Sequence, residues 1–150
     1  MGEENSGENE PVNLRERALR HFDVGNMKLD SGNPGEAIDE YRAAIELWDN
    51  DARFYNNLGI AFRQQEELGH GEENLRRAIE LDPGYRDAYS NLGLLLLDRE
   101  MYQDAIASFS SALEIDPTFW YAYSGRGLAF WALGKKDEAL SDYEKLKGLR

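Results

Sequence analysis

The sequence predicts an all-α protein, a right-handed solenoid of antiparallel helix pairs. Three observations predict it: a 34-residue period, two helical faces in each period, and chain-breaking residues between the faces. Gly25, Gly59, Gly93 and Gly127 stand 34 residues apart, and so do Ala37, Gly71, Ala105 and Ala139. Four further columns keep the register: His21/Tyr55/Tyr89/Tyr123, Tyr41/Leu75/Phe109/Tyr143, Ala44/Ala78/Ala112/Leu146 and Leu47/Leu81/Ile115/Leu149. A period of this length is the signature of stacked supersecondary units, each too small to bury its apolar face alone.

At the N-terminus, residues 1–11 carry four glutamates and nothing to bury, which predicts a disordered acidic tail. Met1-Gly2 with Ser6 matches the N-myristoylation pattern. Glu3 and Glu4 oppose an anionic leaflet, and one acyl chain without a basic patch anchors only marginally, so the solvated tail is preferred. Pro11 suits the first turn of a helix, and order is expected to start there, with a repeat domain over 12–150. The units fall at about 18–51, 52–85, 86–119 and 120–150.

Within each unit the first helix shows one apolar face, as in Tyr55, Leu58, Ala61 and Phe62. The second is clearest in Ala105, Ile106, Phe109, Ala112 and Leu113. Between them the links are expected at 30–35, 68–71 and 133–136, rich in Gly, Asn and Pro. Asp82-Pro83 and Asp116-Pro117 end the second helices, because the residue before proline avoids the helical region. Gly59 and its column let two antiparallel backbones approach, while the Tyr41/Leu75/Phe109/Tyr143 column fills the remaining volume.

These columns resemble the tetratricopeptide repeat: an aromatic, Leu-Gly, then aromatic, Ala and Pro over 34 residues. Tyr55, Leu58-Gly59, Ala78 and Pro83 carry the pattern, as do Tyr89, Leu92-Gly93, Ala105, Phe109, Ala112 and Pro117. The resemblance runs from about Ala18 to the end of the chain. His21, Gly71 and Arg126 depart from it; Arg126 replaces Val24, Leu58 and Leu92, and is expected to extend its head to solvent. Arg20 and Lys147 occupy positions that face another repeat elsewhere, so both ends read as polar caps. Leu140, Leu146 and Leu149 keep a homodimer possible.

The resemblance implies a concave surface built by the first helices, and that is where binding residues are expected. The candidates are Asn26, Arg53, Asn56, Asn57, Ile60, Arg63, Asn91, Leu94, Leu97, Tyr121, Leu128 and Trp131. Phe22, Ser90 and Gly125 are placed on the same face. Ile60, Leu94 and Leu128 form one apolar row and Leu29, Leu97 and Trp131 another; continuous apolar stripes mark binding surfaces unless neighbouring helices bury them. Asn57 and Asn91 are also 34 apart. An amide carries a donor and an acceptor, so such a pair can hold an extended peptide by its backbone, or else brace adjacent helices. This is similar to the asparagine ladder of some superhelical members of the family. On the first view, replacing both with alanine leaves the fold intact. The clamp by which some family members hold chaperone tails keeps its two amides at Asn26 and Asn57. Its cationic positions hold Phe22, Asp87 and Asn91, so binding of chaperone C-terminal tails is not expected.

Composition narrows the chemistry. Seventeen Lys and Arg against 29 Asp and Glu give a net charge of −12, which argues against binding nucleic acid or anionic membranes. There is no cysteine, the two histidines are far apart in sequence, and Gly125-Arg126-Gly127 follows no strand. No catalytic, metal or cofactor constellation results, and none is expected. The expectation is a cytoplasmic, non-enzymatic adaptor for an extended or helical segment, neutral to basic with apolar anchors. The competing expectation is a structural unit that dimerises or stacks through its end helices.

Overall fold

The computed structural model describes residues 13–149. The tail expected over 1–11 and the start at Pro11 lie outside them. Eight helices follow in order: α1 (Leu14–Asp30), α2 (Pro34–Leu47), α3 (Ala52–Gln64), α4 (Leu68–Leu81), α5 (Arg86–Asp98), α6 (Tyr102–Ile115), α7 (Trp120–Ala132) and α8 (Lys136–Gly148). Each odd helix packs on the even helix that follows it. Odd helices also touch one another, α1 on α3, α3 on α5 and α5 on α7, whereas the even helices make no such contacts. The odd layer is therefore the tight inner one and the even layer fans apart outside it. The result is an all-α solenoid whose concave side is lined by α1, α3, α5 and α7.

Local chemistry sets the helix ends. Asn13 caps α1 by accepting the Glu16 N–H at 3.1 Å, and Asp51 caps α3 by accepting the Arg53 N–H at 3.0 Å. Pro34 opens α2, where its missing N–H costs nothing. The second helices α4 and α6 stop before Asp82 and Asp116, as the prolines require, and each Asp folds back onto a backbone N–H two residues on, of Gly84 and Thr118. The first helices end in a repeated turn. Gly32, Glu66, Glu100 and Gly134 all have positive φ, between 59° and 76°. The next residue's N–H returns to the carbonyl five back: Asn33 to Lys28, Glu67 to Phe62, Met101 to Leu96 and Lys135 to Phe130. These are Schellman closures, and they are spaced 34 apart. They correct one link: Leu68–Gly71 is the first turn of α4, because the reversal is completed at Glu66 and the two glycines are carried inside the helix.

Close approach explains the glycine column. A Cβ on Gly25 or Gly93 would stand 2.6 or 2.7 Å from the ring of Tyr41 or Phe109, and one on Gly59 would stand 2.6 Å from Leu75 Cγ. Tyr41, Phe54, Leu75 and Phe109 are fully buried, and with the alanines they make two core clusters, one over α1–α3 and one over α4–α7.

Three side chains depart from the sequence reading. Phe22 is 8% exposed and stacks with Phe54 at 5.0 Å, so it belongs to the core and not to the concave surface. Gly125 is also buried, since a Cβ there would lie 2.3 Å from Phe109 Cζ. Arg126 is only partly exposed, its side chain at 21%. Its guanidinium turns inward to Asp142 at 2.8 and 2.7 Å and to Ser110 Oγ at 3.1 Å. Asp142 is 4% exposed, so α6, α7 and α8 are joined by a largely buried ion pair where the other repeats carry Val24, Leu58 and Leu92.

Candidate functional site

Four asparagines on three inner helices form one hydrogen-bonded chain. Asn91 Nδ2 on α5 donates to Asn56 Oδ1 on α3 at 2.9 Å, and Asn56 Nδ2 donates to Asn57 Oδ1 at 2.9 Å. Asn57 Nδ2 then donates to Asn26 Oδ1 on α1 at 2.8 Å, and the same oxygen accepts the Tyr41 hydroxyl at 2.8 Å. Asn56 is buried at 3% exposure. The pair singled out by its spacing thus braces the inner layer, each side chain donating one amide hydrogen to a neighbouring asparagine. Ser90 is buried as well. Burial pushes the Tyr41 hydroxyl up to about 12.

Beside this chain a recess of about 520 Å³ opens on the concave side, between α3, α5 and α7. It gathers six of the expected residues, Asn56, Asn57, Ile60, Asn91, Leu94 and Tyr121. It also draws on Tyr85, Arg86 and Phe119, which the sequence reading did not select because they precede or open helices. Their signal was present: Tyr85 and Phe119 are aromatic and 34 apart. Arg86 binds Asp87 at 2.8 Å and Asp116 at 2.7 Å, and its guanidinium lies 4.0 Å from the Phe119 ring centre. Tyr121 stacks on Trp120 at 3.6 Å and is 56% exposed. Burial, reinforced by Asp87, pushes the Tyr85 hydroxyl up to about 12.

The remaining candidates spread along the concave side. Asn26 extends the amide chain to α1. Arg53 holds Asp51 at 2.9 and 2.6 Å, which keeps that carboxyl below its ordinary range, and lines a second recess with Tyr85. Arg63 on α3 pairs with Asp98 at 2.5 Å. The apolar rows are graded: Ile60, Leu94, Leu29 and Leu97 are half-buried, whereas Leu128 and Trp131 are each 54% exposed. Neighbouring helices cover the rows until α7, the last inner helix among the described residues. Among the described residues no three His, Asp or Glu side chains cluster to hold a metal, and no helix is long and apolar enough to cross a membrane.

Family models described as tetratricopeptide repeat match residues 52–85, 87–119 and 121–150, and one described as TPR repeat matches 25–66. No curated protein sequence matches the chain. Among solved structures, the crystal structure of MamA is 30% identical, with a TM-score of 0.83 over 93% of this chain and 80% of that one. YrrB, described as a TPR protein with an unusual peptide-binding site, is 22% identical at a TM-score of 0.77, over 89% of this chain and 69% of that one. The first TPR domain of Spaghetti (RPAP3), bound to the HSP90 peptide SRMEEVD, is 22% identical at 0.78, over 80% and 95%. The last two likenesses concern the fold alone. With family matches on all four helix pairs and a 30% identical relative over most of its length, the chain belongs to the tetratricopeptide repeat family, a family of protein–protein interaction modules.

Proposed function

We propose that this chain is a non-enzymatic adaptor that holds an extended or helical segment of a partner protein on its concave side. The observation that carries the reading is the recess between α3, α5 and α7, where Ile60, Leu94 and Tyr121 offer apolar surface next to a rim of amides and charges. Such a mixture suits a segment with apolar anchors, since burying those anchors supplies the affinity and the polar rim sets their register. At a net charge of −12 a neutral or basic segment is favoured over nucleic acid, an anionic membrane or an acidic chaperone tail.

Capture from cell extract tests the reading, with the wild type and Tyr121→Ser side by side. Tyr121 is largely exposed, so the variant keeps the fold and loses contact area. A partner held by the wild type should be weakened by about 1–2 kcal/mol, roughly 5–30-fold. Equal capture by both would remove the recess from the account.

A second reading is favoured by one observation. Leu128, Trp131 and Leu140 are each more than half exposed, whereas the same columns are half-buried at Leu94, Leu97 and Ile106. An apolar end of this kind suits self-association through α7 and α8. Sedimentation of the wild type and of Trp131→Ser separates the readings: a mass that rises with concentration only in the wild type supports self-association.

A further inference from the structure

The inference rests on the groove reading above and concerns what the recess accepts. Its lining cation, Arg86, is already paired. The amide hydrogens run one way along the chain, Asn91 to Asn56 to Asn57 to Asn26, and the Arg86 guanidinium is divided between Asp87 and Asp116. Its acceptors are not spent. Because the amide chain starts at Asn91, that residue's Oδ1 receives no hydrogen bond from any described residue. Asp87 binds Arg86 through Oδ1 alone, and its side chain is 48% exposed, so Oδ2 stays open. Arg86 answers two carboxylates with one positive charge, which leaves the cluster negative. Tyr121 stacks on Trp120, packs against Phe119 at 5.7 Å and stays 56% exposed.

We propose that the recess is a subsite for a basic side chain, a lysine or arginine of the bound segment. Asp87 Oδ2 and Asn91 Oδ1 accept its hydrogens, and the Tyr121 ring covers its stem and charge. Charge-assisted hydrogen bonds and a cation over an aromatic face are the strong contacts open to such a site. An acidic side chain meets the Asp87 charge and is repelled.

The test titrates isotope-labelled protein with three capped peptides, acetyl-Ala-Leu-Ala-X-Ala-Leu-Ala-amide, in which X is lysine, norleucine or glutamate. Amide and methyl resonances of Ile60, Asn91 and Leu94 report where each one binds. The lysine peptide should bind about tenfold tighter than norleucine, and the glutamate peptide weakest. Added salt should narrow the gap, and Asp87→Asn should erase it; Tyr121→Leu, which keeps apolar surface but loses the aromatic face, should narrow it. If lysine and norleucine shift the groove resonances with equal affinity, the subsite is overturned while the groove reading stands. If no peptide shifts those resonances, the groove reading falls and the subsite falls with it.

Discussion

Replacing Asn91 and Asn57 with alanine probes the amide chain most directly. Asn91 supplies the hydrogen accepted by Asn56 Oδ1, and Asn57 supplies the oxygen that takes the Asn56 hydrogen. Asn56 is 3% exposed, so water cannot replace either partner without opening the packing between α3 and α5. A buried polar atom stripped of its partner costs about 1–3 kcal/mol, and each single variant should lose that much. For a chain of this size the thermal midpoint should fall by about 2–12 °C per variant. In the double variant the two losses should not add, because both act on the same Asn56 amide, which can no longer be held from either side. Urea unfolding followed by helical circular dichroism measures all three. Losses under about 0.3 kcal/mol in both single variants would refute the chain and restore these asparagines to the solvent-facing role that their spacing first suggests.

Other perturbations read other parts of the fold. Glu66→Gly and Glu100→Gly should each stabilise by about 0.5–1 kcal/mol, since a side chain in the left-handed region is strained and the equivalent turns use Gly32 and Gly134; a lower urea midpoint would count against the turn assignment. Arg126→Leu should cost about 3–5 kcal/mol by leaving Asp142 buried and unpaired, and Arg126→Leu with Asp142→Ala should recover most of it. An equal loss in both would mean that packing of the guanidinium stem, and not charge, explains the position. Tyr41 and Tyr85 titrate near 12 when folded, against an ordinary value of 10.0. A folded value above the unfolded one stabilises fully below pH 10 and is lost as pH rises towards 12. Ultraviolet titration should therefore show tyrosines that ionise late, together with unfolding, and their ionisation near 10 in the folded protein would contradict the burial.

The repeat made the architecture legible in advance. Columns such as Gly59 and Leu75, or Gly93 and Phe109, encode a packing contact by spacing alone, because a small residue and a large one recur 34 residues on in every unit. Arg126 and Gly125 were misread for a common reason. Each breaks a column, and a break carries meaning only through its partner: Asp142 sits 16 residues further on, and Phe109 lies on another helix. Glu66 and Glu100 concealed the turn column, since glutamate gives no sign of the left-handed conformation that Gly32 and Gly134 suggest. At the groove, spacing put the asparagines on the first helices but left open whether they faced a ligand or one another. That choice depends on side-chain rotamers across three helices, which one-dimensional periodicity does not contain. Tyr85, Arg86 and Phe119 enter the recess from the approaches to α5 and α7, outside the helix-face pattern used to select candidates.

The central claim is that partners bind on the concave side. Methyl-labelled protein, titrated with the segment of a captured partner, tests it through Ile60, Leu94 and Leu128 on that side and Leu140 on the outer helix α8. The account predicts that the concave methyls shift together and saturate with one affinity while Leu140 stays unchanged. Saturable shifts at Leu140 with Ile60 and Leu94 silent would move the function to the end of the solenoid and contradict it.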